Sequence, residues 1–129
     1  MFVSKRMLSF LTGACLLFAA TFAYADAAAV ARSIAEYKAA SQELVRLYTG
    51  AIDEASAKAA EAQINAATKR QNAAESALNA AIQTLNPNNQ AHGKMIENAY
   101  AEMQAANEAV SAAQLKAIEN QEAAKAQQK

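Results

Sequence analysis

The sequence predicts an all-α protein, an antiparallel helical hairpin or three-helix bundle of long, Ala-rich, coiled-coil-like helices. Three observations carry this expectation. Residues 51–85, AIDEASAKAAEAQINAATKRQNAAESALNAAIQTL, contain neither Gly nor Pro. From Asp26 onward 32 of 104 residues are Ala, the strongest helix former, and the only Pro is Pro87. No stretch alternates β-branched and polar residues with the period of two that a strand requires.

The N-terminus reads as a cleaved secretory signal peptide covering residues 1–25. Lys5 and Arg6 supply the positive start, Met7 to Phe22 an apolar run, and Ala23-Tyr24-Ala25 a small-x-small cleavage site. That run is sixteen residues long, shorter than the roughly 20 that span a bilayer. The expectation is therefore a mature chain starting at Asp26, with no stable membrane anchor after cleavage, in the periplasm of a Gram-negative envelope or secreted beyond it. Cys15 is the sole cysteine and lies inside the apolar run, with Leu16-Leu17-Phe18 after it, which argues against lipidation. Once the signal is removed no thiol remains, so the domain must fold on packing alone.

The mature domain, 26–129, carries ten basic and twelve acidic residues, a net charge of −2, with both signs scattered. No basic block points to nucleic acid, and no acidic tail points to a solvating segment.

The first helical segment runs from about Ala27 to Thr49. Asp26 is its candidate N-cap. Val30, Ile34, Tyr37, Ser41, Leu44 and Tyr48 repeat at the 4-3 spacing of one helix face. Arg32 with Glu36, and further on Glu54 with Lys58, are candidate i,i+4 pairs on the wet side. At Leu44-Val45-Arg46-Leu47-Tyr48 apolar side chains cover most of the circumference, which calls for more than one neighbour. Tyr37, Leu44, Val45, Leu47, Tyr48 and Ile52 are accordingly the candidate interaction face.

Thr49-Gly50 is a possible break. Gly can close a helix in the left-handed conformation, but it costs only about 1 kcal/mol within one. The stripe also survives the junction, since Leu44, Tyr48, Ile52, Ala55, Ala59, Ala62 and Ala66 keep the same spacing. The sequence therefore favours one helix over about 27–85. Its second half would bury Ala55, Ala59, Ala62, Ala66, Ala74, Leu78, Ile82 and Leu85, with small residues allowing close approach of the helix axes.

Residues 86–93, NPNNQAHG, form the clear loop, because Pro cannot occupy a helix interior and Asn and Gly favour turns. A last helix over about 94–127 presents Ile96, Tyr100, Met103, Asn107, Val110, Gln114, Ala117, Gln121 and Ala124 on one face. Met95 and Met103 read as flexible core filler near the turn. The two long segments flanking a short loop predict an antiparallel hairpin. The 27–49 segment either folds back on that hairpin or projects from it.

No chemistry-bearing constellation stands out. His92 is the single histidine, and no Cys or acidic residue shares its loop, so a metal site cannot close there. No Glu has a His three residues on, as di-metal helical bundles require. No Gly-rich phosphate loop is present. The expectation is a non-enzymatic protein with no cofactor and no metal that binds another protein or itself, either as a structural module, as a holdase-like periplasmic chaperone, or as a minor subunit of an envelope or secretion assembly. In size and class the chain is similar to the small stress chaperones of the periplasm. Their Leu-Thr-x-x-Gln motif is missing, for the only Leu-Thr, Leu11-Thr12, is followed by Gly13-Ala14-Cys15.

The export reading has a direct check. Intact-mass analysis of the protein recovered from its host's envelope should give a chain starting at Asp26, and a mass that includes residues 1–25 would contradict it.

Overall fold

The computed structural model describes the backbone of residues 4–128 and the side chains of 27–128. The expected signal segment lies outside the residues whose side chains are described. The architecture is all-helical, with three helices: α1 Ser4–Gly50, α2 Glu54–Gln83 and α3 Gln90–Gln127. No strand occurs among the described residues.

The helices run up, down and up. Val30 of α1 packs with Leu78, Ala81, Ile82 and Leu85 from the end of α2 and with Ala99 from the start of α3. Leu44 and Leu47, further along α1, pack with Ala67 of α2 and Val110 of α3. These two clusters make α2 antiparallel and α3 parallel to α1. They also make α1 the centre of the molecule, because α2 and α3 each pack along it and scarcely approach one another. The 27–49 segment thus folds back, and the pairing that holds the chain together is with α1 rather than between the two helices that flank the Pro87 loop.

The buried positions explain this. On α1 the interior set is Val30, Tyr37, Ala40, Ser41, Leu44 and Leu47, and Ala51 just past its end is buried too. Val30, Tyr37, Leu44 and Ala51 recur every seventh residue, and Ala40 with Leu47 form a second line beside them. One helix carrying two adjacent apolar lines can serve two neighbours, whereas a helix with one line serves only one. The sequence placed most of this set correctly. Met95 and Met103 are indeed part-buried against the cluster around Val30.

Several expectations fail, among them the loop 86–93, which ends at Asn89 because α3 begins at Gln90, and the first two below share a cause. The helix does not continue through Gly50. α1 stops there, with the Ala51 N–H donating to the Tyr48 carbonyl at 3.1 Å. No glycine among the described residues has a positive φ, so this is not a left-handed glycine cap. What fixes the break is the next helix start. Asp53 is extended and forms a capping box: its carboxylate accepts from the Ser56 N–H at 2.8 Å, and its own N–H donates to Ser56 Oγ at 3.1 Å. Backbone groups at a helix start that would otherwise be unpaired are thereby satisfied.

The break resets the helical phase. Ala55, Ala59, Ala62 and Ala66, expected inside from a stripe carried across Gly50, are exposed. In their place Ala60, Ile64, Ala67 and Gln71 turn toward α1, while Ala74, Leu78, Ile82 and Leu85 are buried as expected.

The third difference is a small rotation of α3. Val110 and Ala117 are buried and Met103 is half-buried, but Ala99, Ala106 and Ala113 share the inner side where Tyr100, Asn107 and Gln114 were expected. Alanine lets α3 approach α1 closely, and the larger side chains are turned to the flank.

The ion pairs are likewise not the expected ones. Glu36 Oε2 lies 3.6 Å from Arg70 Nη2 of α2 rather than with Arg32, and Lys38 Nζ lies 3.4 Å from Glu102 Oε1 of α3. Among the described residues no Glu54–Lys58 pair forms. Exposed pairs of this kind add little stability, but each joins α1 to a different partner.

At the Pro87 turn, Asn86 Oδ1 accepts from the Asn88 N–H at 3.0 Å. Asn89 caps α3 by accepting from the N–H groups of Ala91 and His92. His92, expected as a solvated connector, is half-buried, and its Nδ1 accepts from the Asn86 N–H at 3.1 Å.

Two variants test this packing. Leu44→Ala and Leu78→Ala, at the two largest fully buried side chains, should each cost about 2–5 kcal/mol in denaturant unfolding. Gly93 sits inside α3 at ordinary φ, and an added Cβ would meet only the Pro87 carbonyl oxygen at 3.7 Å. Gly93→Ala should therefore stabilise the fold by about 0.4–1 kcal/mol, and a loss of stability would contradict the placement of Gly93.

Candidate interaction surface

The structure brings the six residues of the expected interaction face to one end of α1 but turns most of them inward. Tyr37, Leu44 and Leu47 are buried between α1 and its two neighbours. Val45 and Tyr48 are half-buried against the cluster that contains Leu44. Ile52 alone is well exposed, at 57%. The apolar turn 44–48 is thus enclosed by two helices of its own chain.

Among the described residues, the large apolar side chains left at the surface are Ile52, Tyr100, Leu115 and Ile118. Leu115 and Ile118 are one turn apart on α3. The Lys38–Glu102 pair sets the level of α3 against α1. From Glu102 to Ile118 α3 rises about 24 Å, and from Lys38 to Gly50 α1 rises about 18 Å. Leu115 and Ile118 therefore lie at the end of the molecule where the chain turns from α1 to α2, the end that also carries Ile52. Periodicity did not reveal this set, because Leu115 and Ile118 fall off the expected face of α3. The signal available was simply two branched side chains, Leu115 and Ile118, in a segment otherwise made of Ala and polar residues.

Among the grooves that the described residues form along the bundle, the two of greatest volume bear on function. The larger, about 720 Å³, lies between α1 and α2 and is lined mainly by Ala29, Ala73, Ala77 and Ala80, with Glu36 and Arg70 beside it. The second, about 430 Å³, lies between α2 and α3 over Tyr37 and Gln71.

Polar interior groups are few and paired. Gln71 Nε2 donates to Ser41 Oγ at 2.9 Å, and Ser41 Oγ donates to the Tyr37 carbonyl oxygen at 2.7 Å. This chain of bonds crosses the α1–α2 contact midway between the two apolar clusters. A one-turn slip of α2 would break it and leave a buried carboxamide unpaired, which costs about 1–3 kcal/mol. It therefore selects one register.

Burial pushes the Tyr37 hydroxyl above its ordinary pKa, with the nearby Glu75 carboxylate adding to the shift. Asp53 is held below the usual carboxylate range by the Ser56 N–H and then by the Ser56 hydroxyl. Glu43 is likewise lowered by its hydrogen bonds from Arg46, a local pair on the surface of α1. Among the described residues no three His, Cys, Asp or Glu side chains come together as a metal site. Nor is any helix among them long and apolar enough to cross a membrane.

No protein-family model, no curated protein and no solved structure matches this chain.

The pKa shifts have opposite consequences. The fold favours neutral Tyr37, so its contribution is whole below the ordinary tyrosine value of about 10 and is lost as pH rises through the raised one. The fold favours ionised Asp53, so that contribution is present above the ordinary carboxylate range and is lost as pH falls through the lowered value. Thermal melts should show Tyr37→Phe resisting alkaline unfolding better than the parent. The deficit of Asp53→Ala at neutral pH should narrow in acid. Unchanged alkaline behaviour of Tyr37→Phe would show that the hydroxyl is not enclosed.

Proposed function

We propose that this is an exported, non-enzymatic helical protein that works as a structural or protein-interaction module and associates with itself, its packing coiled-coil-like. The observation that carries the reading is the end patch of Ile52, Leu115 and Ile118, exposed at 57%, 59% and 48%. These side chains are as large as the Leu, Ile and Val residues that, with seven Ala, make up most of the described core. Large apolar side chains exposed at one end of the molecule favour association, since their burial gains about 25 cal/mol per Å². The modest core supports the same reading, because a domain of about 100 residues with an alanine-rich interior has little stability in reserve. The partner surface is thus assigned to the end of the bundle, with the apolar turn 44–48 serving the core.

A second reading, a holdase-like periplasmic chaperone or a minor subunit of an envelope or secretion assembly, is favoured by the alanine-lined groove of about 720 Å³ between α1 and α2. An alanine-floored channel edged by a few polar side chains suits loose binding of many clients. It gives no reason for the large side chains at the end of the molecule, and for that reason it ranks second.

Sedimentation of the protein at micromolar concentration separates the two. Self-association that is lost in Leu115→Asp and Ile118→Asp, with helicity retained, is the expected result. A monomer that suppresses aggregation of an unrelated unfolding protein would favour the chaperone reading instead.

A further inference from the structure

The groove between α2 and α3 is lined mostly by uncharged polar side chains, where the groove between α1 and α2 is lined mostly by Ala. Its floor contains two side chains that are more than nine-tenths buried, Tyr37 at 4% and Gln71 at 8% exposure. The Gln71 amide nitrogen is taken by Ser41. Its carboxamide oxygen accepts from no group among the described residues, and the Tyr37 hydroxyl has no hydrogen-bond partner there either. No buried side-chain nitrogen or oxygen is left unpaired, so both atoms reach the open space of the one groove these residues line. Both atoms are thus open to water in the groove, where the hydroxyl of a bound molecule could take the water's place.

The walls add Asn72 and Glu75 from α2 and Gln104 and Asn107 from α3, with Tyr100 half-exposed at the rim. No Lys, Arg or His lines the space. We propose that this groove binds a neutral, polyhydroxylated molecule of one- or two-ring sugar size. A carboxamide presents a donor and an acceptor side by side, which matches adjacent hydroxyls, and the Glu75 carboxylate accepts from two. The Tyr100 ring supplies an apolar plate for the C–H face of a sugar ring. The volume, about 430 Å³, falls within the range of about 300–1,000 Å³ typical of small-molecule sites. An anion finds no cation here. An organic cation would need an aromatic cage, and only Tyr100 shows its ring, since Tyr37 is enclosed. The site lies along the middle of the bundle and is independent of the end patch that carries the proposed self-association.

Titration of the isotope-labelled protein with N-acetylglucosamine, maltose, choline and citrate, followed by two-dimensional NMR, tests this. At least one of the two sugars should give saturable shifts in the side-chain amide signals of Gln71, Gln104 and Asn107. Asn107 is exposed, so Asn107→Ala should keep full helicity while weakening sugar binding about tenfold, the equivalent of one hydrogen bond. Gln71→Leu, with helicity checked separately, should weaken it at least as much. Absence of saturable shifts with both sugars would overturn the proposal. So would binding of choline or citrate alone, or sugar shifts that Asn107→Ala leaves unchanged.

Discussion

Everything in this fold depends on the contact surface of residues 30–50 of α1. Neither α2 nor α3 offers the other a large apolar face; each turns its buried side chains toward α1. Val30, Leu44 and Leu47 are therefore shared by both contacts. Leu44 and Leu78 are the largest fully enclosed side chains, and most of the remaining seam is Ala. Burying a methyl group gains little, so the stabilisation comes from many close contacts spread along the helices. A fold held this way has few places where one substitution is fatal, and nearly all of them lie on α1 or directly against it.

Such a seam has a register problem, because alanine lines look alike when slipped by one turn. Two features remove the ambiguity. The Gln71–Ser41–Tyr37 hydrogen bonds fix α2 against α1 at mid-length, and the Asp53–Ser56 capping box fixes where α2 begins. The ion pairs Glu36–Arg70 and Lys38–Glu102 repeat the alignment at the surface, one for each neighbour. Buried polar groups rarely add net stability, and selecting one arrangement among several is their best-attested use.

The all-helical character was legible in the composition, and the 4-3 spacing of α1 picked out Val30, Tyr37, Ser41 and Leu44 of its buried face but not Ala40. The break at 51–53 was harder to see. A stripe that happened to continue through Gly50 outweighed a capping signal, Asp53-x-x-Ser56, in which Ser rather than Glu or Gln supplies the reciprocal bond. Once the helix was carried through the break, the inward side of α2 came out wrong as far as Ala66 and right from Ala74 on. The rotation of α3 was not legible either, since Tyr100 and Ala99 are adjacent and only packing distance decides which one faces inward. The end patch of Ile52, Leu115 and Ile118 and the polar groove over Tyr37 both depend on the relative level and spacing of helices, which local sequence does not carry.

The most direct measurement of the central role of α1 is far-ultraviolet circular dichroism, with thermal melting, of the isolated segment 51–129. If α2 and α3 hold their places only through α1, that segment should be largely unfolded and melt without cooperativity. A stable helical hairpin with a sharp transition would contradict the account and restore the loop at Pro87 as the organising feature.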